Sequence, residues 1–212
     1  MKKTVLIIFL VSSTISFAQF ISSYGHKVGL TSSQFKWDYT AKSGLDDLDF
    51  HSDRKPGLNA GLFVEFFDLP YFTLSTEINY IEKGFQKEIY STTPESPELG
   101  PKVLWKVNFN YINISALAKP KIDLGLFTPY ILIGPRLDIE ISKSSQLDNP
   151  ENYKDYLSKR LGIKCGIGSE IKLFELIFLS ELVWDIDFKD IYQNPNVNVK
   201  TNSFDIRIGI KL

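Results

Sequence analysis

Asp185 and Asp187 are the carboxylates in this chain whose type and spacing come nearest to a chemical device. Two residues apart on a strand, they project from one face, where they could act as an acid pair or hold a metal. The same face supplies counterions in Arg136, Lys164, Arg207 and Lys211, so a salt-bridge network is the expected arrangement. Asp46-Asp47-Leu48-Asp49 offers carboxylate oxygens to calcium but lacks the spacing of a calcium loop, and reads as an acidic solvated loop. His26 and His51 are the two histidines, with no cysteine partner nearby, so no zinc site is expected and both should be exposed. Cys165, the single cysteine, excludes an intrachain disulfide and reads as a small hydrophobe on an apolar face. No Gly-x-Ser-x-Gly or phosphate-loop motif occurs, and nothing in the spacing assembles a Ser-His-Asp triad. The expectation is a protein without catalytic residues, metal or cofactor.

The elements that carry these residues show alternation with a period of two. From Ser203 to Leu212, Phe204, Ile206, Ile208, Ile210 and Leu212 share one face, while Ser203, Asp205, Arg207, Gly209 and Lys211 share the other. A strand sends successive side chains to opposite sides, so this segment has one apolar and one polar face. The same pattern recurs around Leu182, Trp184 and Ile186, around Ile163, Cys165 and Ile167, around Ile131 to Ile141, around Leu58 to Phe66 and around Phe72 to Tyr80. In 104–119 the apolar phase changes: Trp105, Val107, Phe109 and Tyr111 hold one phase, and Ile112, Ile114, Ala116 and Ala118 the other. A β-bulge near Tyr111 would account for it.

Eight strands follow, at about 25–39, 57–68, 71–90, 104–119, 127–143, 158–173, 176–189 and 201–212. Short turns (68–70, 121–126, 174–175) alternate with long polar connections (40–56, 91–103, 144–157, 190–200), the layout of an outer-membrane barrel with its turns in the periplasm. The N-terminus reads as a leader peptide: Lys2-Lys3, the apolar run Val5 to Val11, and small residues at Ser16 and Ala18 before a cut at Gln19. Residues 1–18 are therefore expected to be a signal peptide and 19–212 one outer-membrane β-barrel domain. Apart from the leader, no stretch is apolar and long enough to cross a bilayer as a helix.

Composition agrees. Net charge is −1, with no basic excess to suggest nucleic acid, and 14% of residues are aromatic, including sixteen Phe and ten Tyr. Such residues form girdles at membrane interfaces, a role expected for Trp105 and Trp184. Strands of twelve or more residues exceed the usual five or six, whereas a tilted membrane strand needs about 9–11. The expected fold is therefore an all-β, eight-stranded, antiparallel, up-and-down transmembrane β-barrel. Its inward face would carry Glu65, Glu77, Arg136, Asp138, Glu140, Lys164, Glu170, Glu181, Asp185, Asp187, Arg207 and Lys211. Eight strands enclose a space that side chains can fill, so these charges should interlock as a plug. Acids outnumber bases on that face, so some carboxylates should be hydrated or protonated.

Pro129-Tyr130-Ile131-Leu132-Ile133-Gly134-Pro135 resembles the PYxxxGP strand of the outer-membrane β-barrel proteins (porin family, PorT-like) of Bacteroidota. Tyr111-Ile112-Asn113-Ile114-Ser115-Ala116-Leu117-Ala118-Lys119 is similar to that family's YLEIPLLAK strand, with Asn113 and Ser115 in place of the acid and the proline. Ser16-Phe17-Ala18-Gln19 resembles leader cleavage sites common in that phylum. The resemblance implies an outer-membrane barrel and allows an accessory role in a secretion apparatus; it is silent on activity. The expected role is structural or interactive in the outer membrane, with a narrow small-solute channel or a secretion accessory as alternatives. Expected partners are outer-membrane lipids, the barrel-assembly machinery during insertion, and secretion-system or surface proteins at the long loops. The chain is expected to be a monomer with no nucleic-acid partner.

Overall fold

The computed structural model describes residues 20–39, 50–90, 100–147, 150–193 and 195–212. The leader expected over 1–18 and the acidic stretch Asp46 to Asp49 lie outside them. Eight long antiparallel strands make the wall: β1 (Ile21–Tyr39), β3 (Lys55–Leu69), β4 (Phe72–Tyr90), β5 (Lys102–Pro120), β6 (Phe127–Ser145), β7 (Lys159–Leu173), β8 (Leu176–Asp187) and β10 (Val197–Lys211). Two short strands, β2 (Phe50–His51) and β9 (Tyr192–Gln193), and a 3-10 turn at Pro150–Tyr153 fall within connections read as loops from sequence.

Each long strand pairs with the next in the chain, and the first meets the last. Val28 of β1 lies opposite Ala60 of β3 on one side and Ile208 of β10 on the other. The sheet therefore closes on itself, which removes the exposed edges an open sheet would leave. At one end the connections are tight, with Phe67 and Phe174 in left-handed backbone conformations (φ 53° and 58°). The start of β1 and the end of β10 meet at this turn end: Tyr24 and Leu212 exchange backbone hydrogen bonds of 2.8 and 3.2 Å. The long connections gather at the other, loop end.

Parity along each strand sets which side chains enter the barrel. Outside, a belt of apolar residues encircles the wall, including Leu30, Leu62, Ile78, Ile131, Ile167, Leu182 and Ile208, each about 40–70% exposed. On the β4–β5 and β1–β10 seams the belt stops abruptly, while on β6 to β8 it runs higher, through Ile141, Leu161, Ile186 and Phe188. Tyr80 faces Ile112 across the β4–β5 pair, but the next outward pair toward the loop end is Glu82 and Asn110; likewise Phe204 faces Ser32, and then Asn202 faces Gln34. Four strands run 19 residues, about twice what a tilted membrane crossing needs. The barrel therefore continues well above the belt.

This extension corrects the reading of 104–119. Val107, Phe109, Tyr111, Asn113, Ser115, Leu117 and Lys119 are all buried, in one unbroken inward phase along β5. The polarity of the two faces reverses at Tyr111, while the strand keeps its phase. A bulge does lie at this level, but on the partner strand: the β5–β6 register steps from Asn110↔Ser142 to Tyr111↔Glu140, so the extra residue is Ile141 of β6. One further backbone irregularity locks the loop end. Gly84 has φ +150°, and a Cβ there would stand 2.0 Å from the Val107 carbonyl oxygen. Its N–H donates to Ser33 Oγ at 2.8 Å, and that hydroxyl donates to the Gly84 carbonyl at 2.9 Å.

Candidate functional site: the filled lumen

The interior is organised in levels along the barrel axis. Nearest the turn end, Lys211 Nζ lies 2.7 Å from Glu170 and 3.1 Å from Glu65. Lys119 from β5 bridges the same two carboxylates and sits 4.1 Å above the Tyr130 ring. That ring is seated against Gly168, where a Cβ would come within 2.6 Å of it.

In the middle level, Glu77 and Glu181 are held between Lys27 and Arg207. Lys27 Nζ reaches them at 2.6 and 2.7 Å, and Arg207 donates to Glu77 at 2.9 Å and to Glu181 at 2.5 Å. Tyr130 donates its hydroxyl to Glu181 at 2.6 Å, and Lys164 donates to Asn113 Oδ1 at 2.7 Å. Above this, Lys83 bridges Asp185 (2.6 Å) and Asp138 (3.0 Å), while Arg136 pairs with Asp138 and Asp187. Arg160 pairs with Asp187 and lies over the Tyr111 ring. Asp205 stands apart from these pairs: Asn59 donates to it at 2.8 Å, and among the described residues no Lys or Arg comes within salt-bridge distance.

The loop end is closed by carbon rather than charge. Phe35, Phe85, Val107, Phe109, Tyr111, Tyr153, Ile191 and Val199 form a buried cluster, joined by Trp37, Trp105, Tyr156 and Tyr192. Phe109 stacks on Tyr156 with ring centroids 6.0 Å apart and meets Phe35 at 5.4 Å. The 3-10 turn and β9 supply part of this lid, so segments outside the eight-strand wall complete the filling.

Of the residues expected inside, Glu65, Glu77, Arg136, Asp138, Lys164, Glu170, Glu181, Asp185, Asp187, Arg207 and Lys211 are brought together in these levels. Glu140 also points inward, opposite the buried Tyr111, but stands above these levels and pairs with Lys143 at 3.4 Å below the lid. The expected excess of acid is also corrected, because Lys27, Lys83, Lys119 and Arg160 point inward and bring the bases level with the acids. Asp205 is the buried acid that remains without a base among the described residues. Trp105 is corrected too: it packs against Phe85 at 5.1 Å in the lid, whereas Trp184 faces outward, 43% exposed. His26 is exposed on the outer face near the turn end. Cys165 lies beside Trp184 in the β7–β8 pair.

This arrangement can hold charge in place, but it presents no nucleophile with a base and no open cluster of ligands. Asp205 apart, the lumen carboxylates are occupied by guanidinium and ammonium groups, and among the described residues no three His, Cys, Asp or Glu converge as a metal site. An isolated buried charge costs several kcal/mol, so each of these groups depends on its partners.

The family described as outer membrane protein beta-barrel domain matches residues 17–209. Among solved structures, the chain is similar to the outer membrane protein OprG of Pseudomonas aeruginosa. The TM-score is 0.50 at 12% identity, covering 91% of this chain and 97% of that one. Neisserial surface protein A gives a TM-score of 0.45 at 11% identity over 88% and 96%. Ail of Yersinia pestis, solved with the heparin analogue sucrose octasulfate, gives 0.40 at 13% identity over 90% and 98%. At these identities the likeness concerns the fold alone. No curated protein matches the sequence.

Proposed function

The chain belongs to the outer membrane protein beta-barrel domain family, and from that premise we propose that it is a closed, non-conducting and non-enzymatic barrel with a structural or interaction role in the outer membrane. One observation carries this reading: the lumen is occupied from turn end to loop end, by three levels of paired charges and then by an aromatic lid. The turn end faces the periplasm and the loop end the exterior, as in barrels of this class. The leader at 1–18 exports the chain and is removed, and the assembly machinery inserts it as a monomer. The segments around the lid are the surface on which other proteins act, and the PYxxxGP-like strand favours placing the chain itself in the PorT-like group, with an accessory role in secretion as the alternative.

In planar lipid bilayers the purified barrel is expected to give no steady single-channel steps. Discrete cation-selective openings, reduced when Asp185 is neutralised, would replace this reading with the channel. The membrane belt has its own test. Ile208→Arg places a guanidinium on the outer face and should cost roughly 2–4 kcal/mol if the site is near mid-membrane. Urea unfolding in lipid vesicles measures it, and unchanged stability would mean that Ile208 does not face lipid.

A further inference from the structure

The wall is not uniformly zipped. The β8–β10 pairing ends at Asp185↔Ser203, although β10 continues to Val197 and is met further up by β9 at Asn198 and Val199. Along Lys200, Thr201 and Asn202, β10 keeps its β1 neighbour but has no ladder partner on the β8 side. A cavity of about 610 Å³ occupies this breach, bordered by Cys165, Trp184 and Phe188 on the outer wall and by Asp187 and Ser203 from the lumen. Its lower edge is the last outward apolar pair of the seam, Trp184 and Phe204. Trp is a residue of membrane interfaces, and above it the exposed apolar side chains Ile186 and Phe188 carry the outer face of β8 up into the breach. The upper rim carries Lys189 and Lys200, both exposed, with the exposed Asn202 amide between.

The charges around the breach favour an anion by a small margin. Asp38 is shared between Lys200 at 3.1 Å and Lys36 at 3.2 Å, so that group keeps one net positive charge. Lys189 is offset by Asp190, which also lines the cavity. On the lumen side Asp187 is committed to Arg136 and Arg160. Unpaired backbone polar groups are costly in hydrocarbon, so a breach that opens at the interface calls for a polar occupant with an apolar lower part.

We propose that the β8–β10 breach seats the phosphate headgroup of an anionic outer-leaflet lipid. Lys189, Lys200 and Asn202 face the phosphate, and the acyl chain runs down past Trp184 and Cys165. The seat lies outside the plugged lumen, so conductance by the barrel would leave it standing.

The test reads Trp184 fluorescence in phosphatidylcholine vesicles containing brominated-chain phosphatidic acid or, at the same mole fraction, brominated phosphatidylcholine. Trp37 and Trp105 lie in the lid, away from acyl chains, and Trp184→Phe identifies the quenched signal. Phosphatidic acid should quench more strongly. Each basic side chain near a membrane surface is worth about 1 kcal/mol toward anionic lipid, so the preference should fall about five-fold per lysine in Lys189→Gln with Lys200→Gln. It should return in the matching arginine variants. Alkylating Cys165 in the folded wild-type protein fills the breach and should abolish the preference without any substitution. Equal quenching by the two lipids in wild type would overturn the proposal, as would a preference that survives both the double variant and the Cys165 adduct.

Discussion

Arg207→Leu is expected to lower the unfolding free energy by about 3–5 kcal/mol, the usual cost of breaking a buried pair from one side. Its guanidinium is fully buried and donates to Glu77 and Glu181 at once. Leucine leaves Glu77 with Lys27 and the more distant Lys164 (3.6 Å), and Glu181 with Lys27 and the Tyr130 hydroxyl. The loss comes from stranded acid, and the ion pairs themselves are weak evidence for stability. The triple variant Arg207→Leu with Glu77→Gln and Glu181→Gln should therefore recover part of the loss. Urea titration in detergent or vesicles compares the three proteins. A single variant as stable as wild type would mean that Glu77 and Glu181 are already solvated.

Phe109→Ala should have a similar effect for an unrelated reason. The ring is 1% exposed and touches Phe35, Tyr111, Tyr153 and Tyr156. Removing it leaves a void among rings fixed by separate strands and by the 3-10 turn, and large-to-small aromatic substitutions of this kind cost about 3–5 kcal/mol. The measurement is again the unfolding midpoint, with near-ultraviolet circular dichroism reporting on the lid. A loss below about 1 kcal/mol would show that the lid closes over the void.

The strands were legible because below the belt's upper boundary polarity reports geometry: lipid takes the apolar face and the lumen the polar one. Ser203 to Leu212 reads cleanly for this reason. Above the boundary the rule reverses, since water bathes the outside and the lid fills the inside. Phe35, Phe85 and Phe109 point inward there while Gln34, Gln86 and Asn108 point out. A reversal of polarity without a change of phase looks, in one dimension, like a bulge, which is why 104–119 misled. The missed bases have local causes. Lys27 sits among Gly25, Gly29 and Thr31, where small residues mute the alternation, and Lys83 and Lys119 lie beyond the stretches whose apolar partners reveal a face. The lid was hidden for a different reason: Tyr153 and Ile191 come from connections, whose docking no periodicity records. The seam breach is likewise a matter of where pairing stops, and β8 and β10 carry unbroken alternation through it.

Closure by the first and last strands has a consequence for the order of events in folding. Lys27 meets Glu181 across 154 residues and Arg207 meets Glu77 across 130. Contacts so distant in sequence are slow to form, because loop-closure entropy is lost before they return any stabilisation. A chain ending before β10 would hold Lys27, Glu77 and Glu181 in a sheet with two open edges and no Arg207 to join them. No partial barrel is then much more stable than the unfolded chain, so the polypeptide must be kept unfolded until the fifteen residues of β10 arrive. The interval between synthesis and closure is when this protein is most open to proteolysis and aggregation.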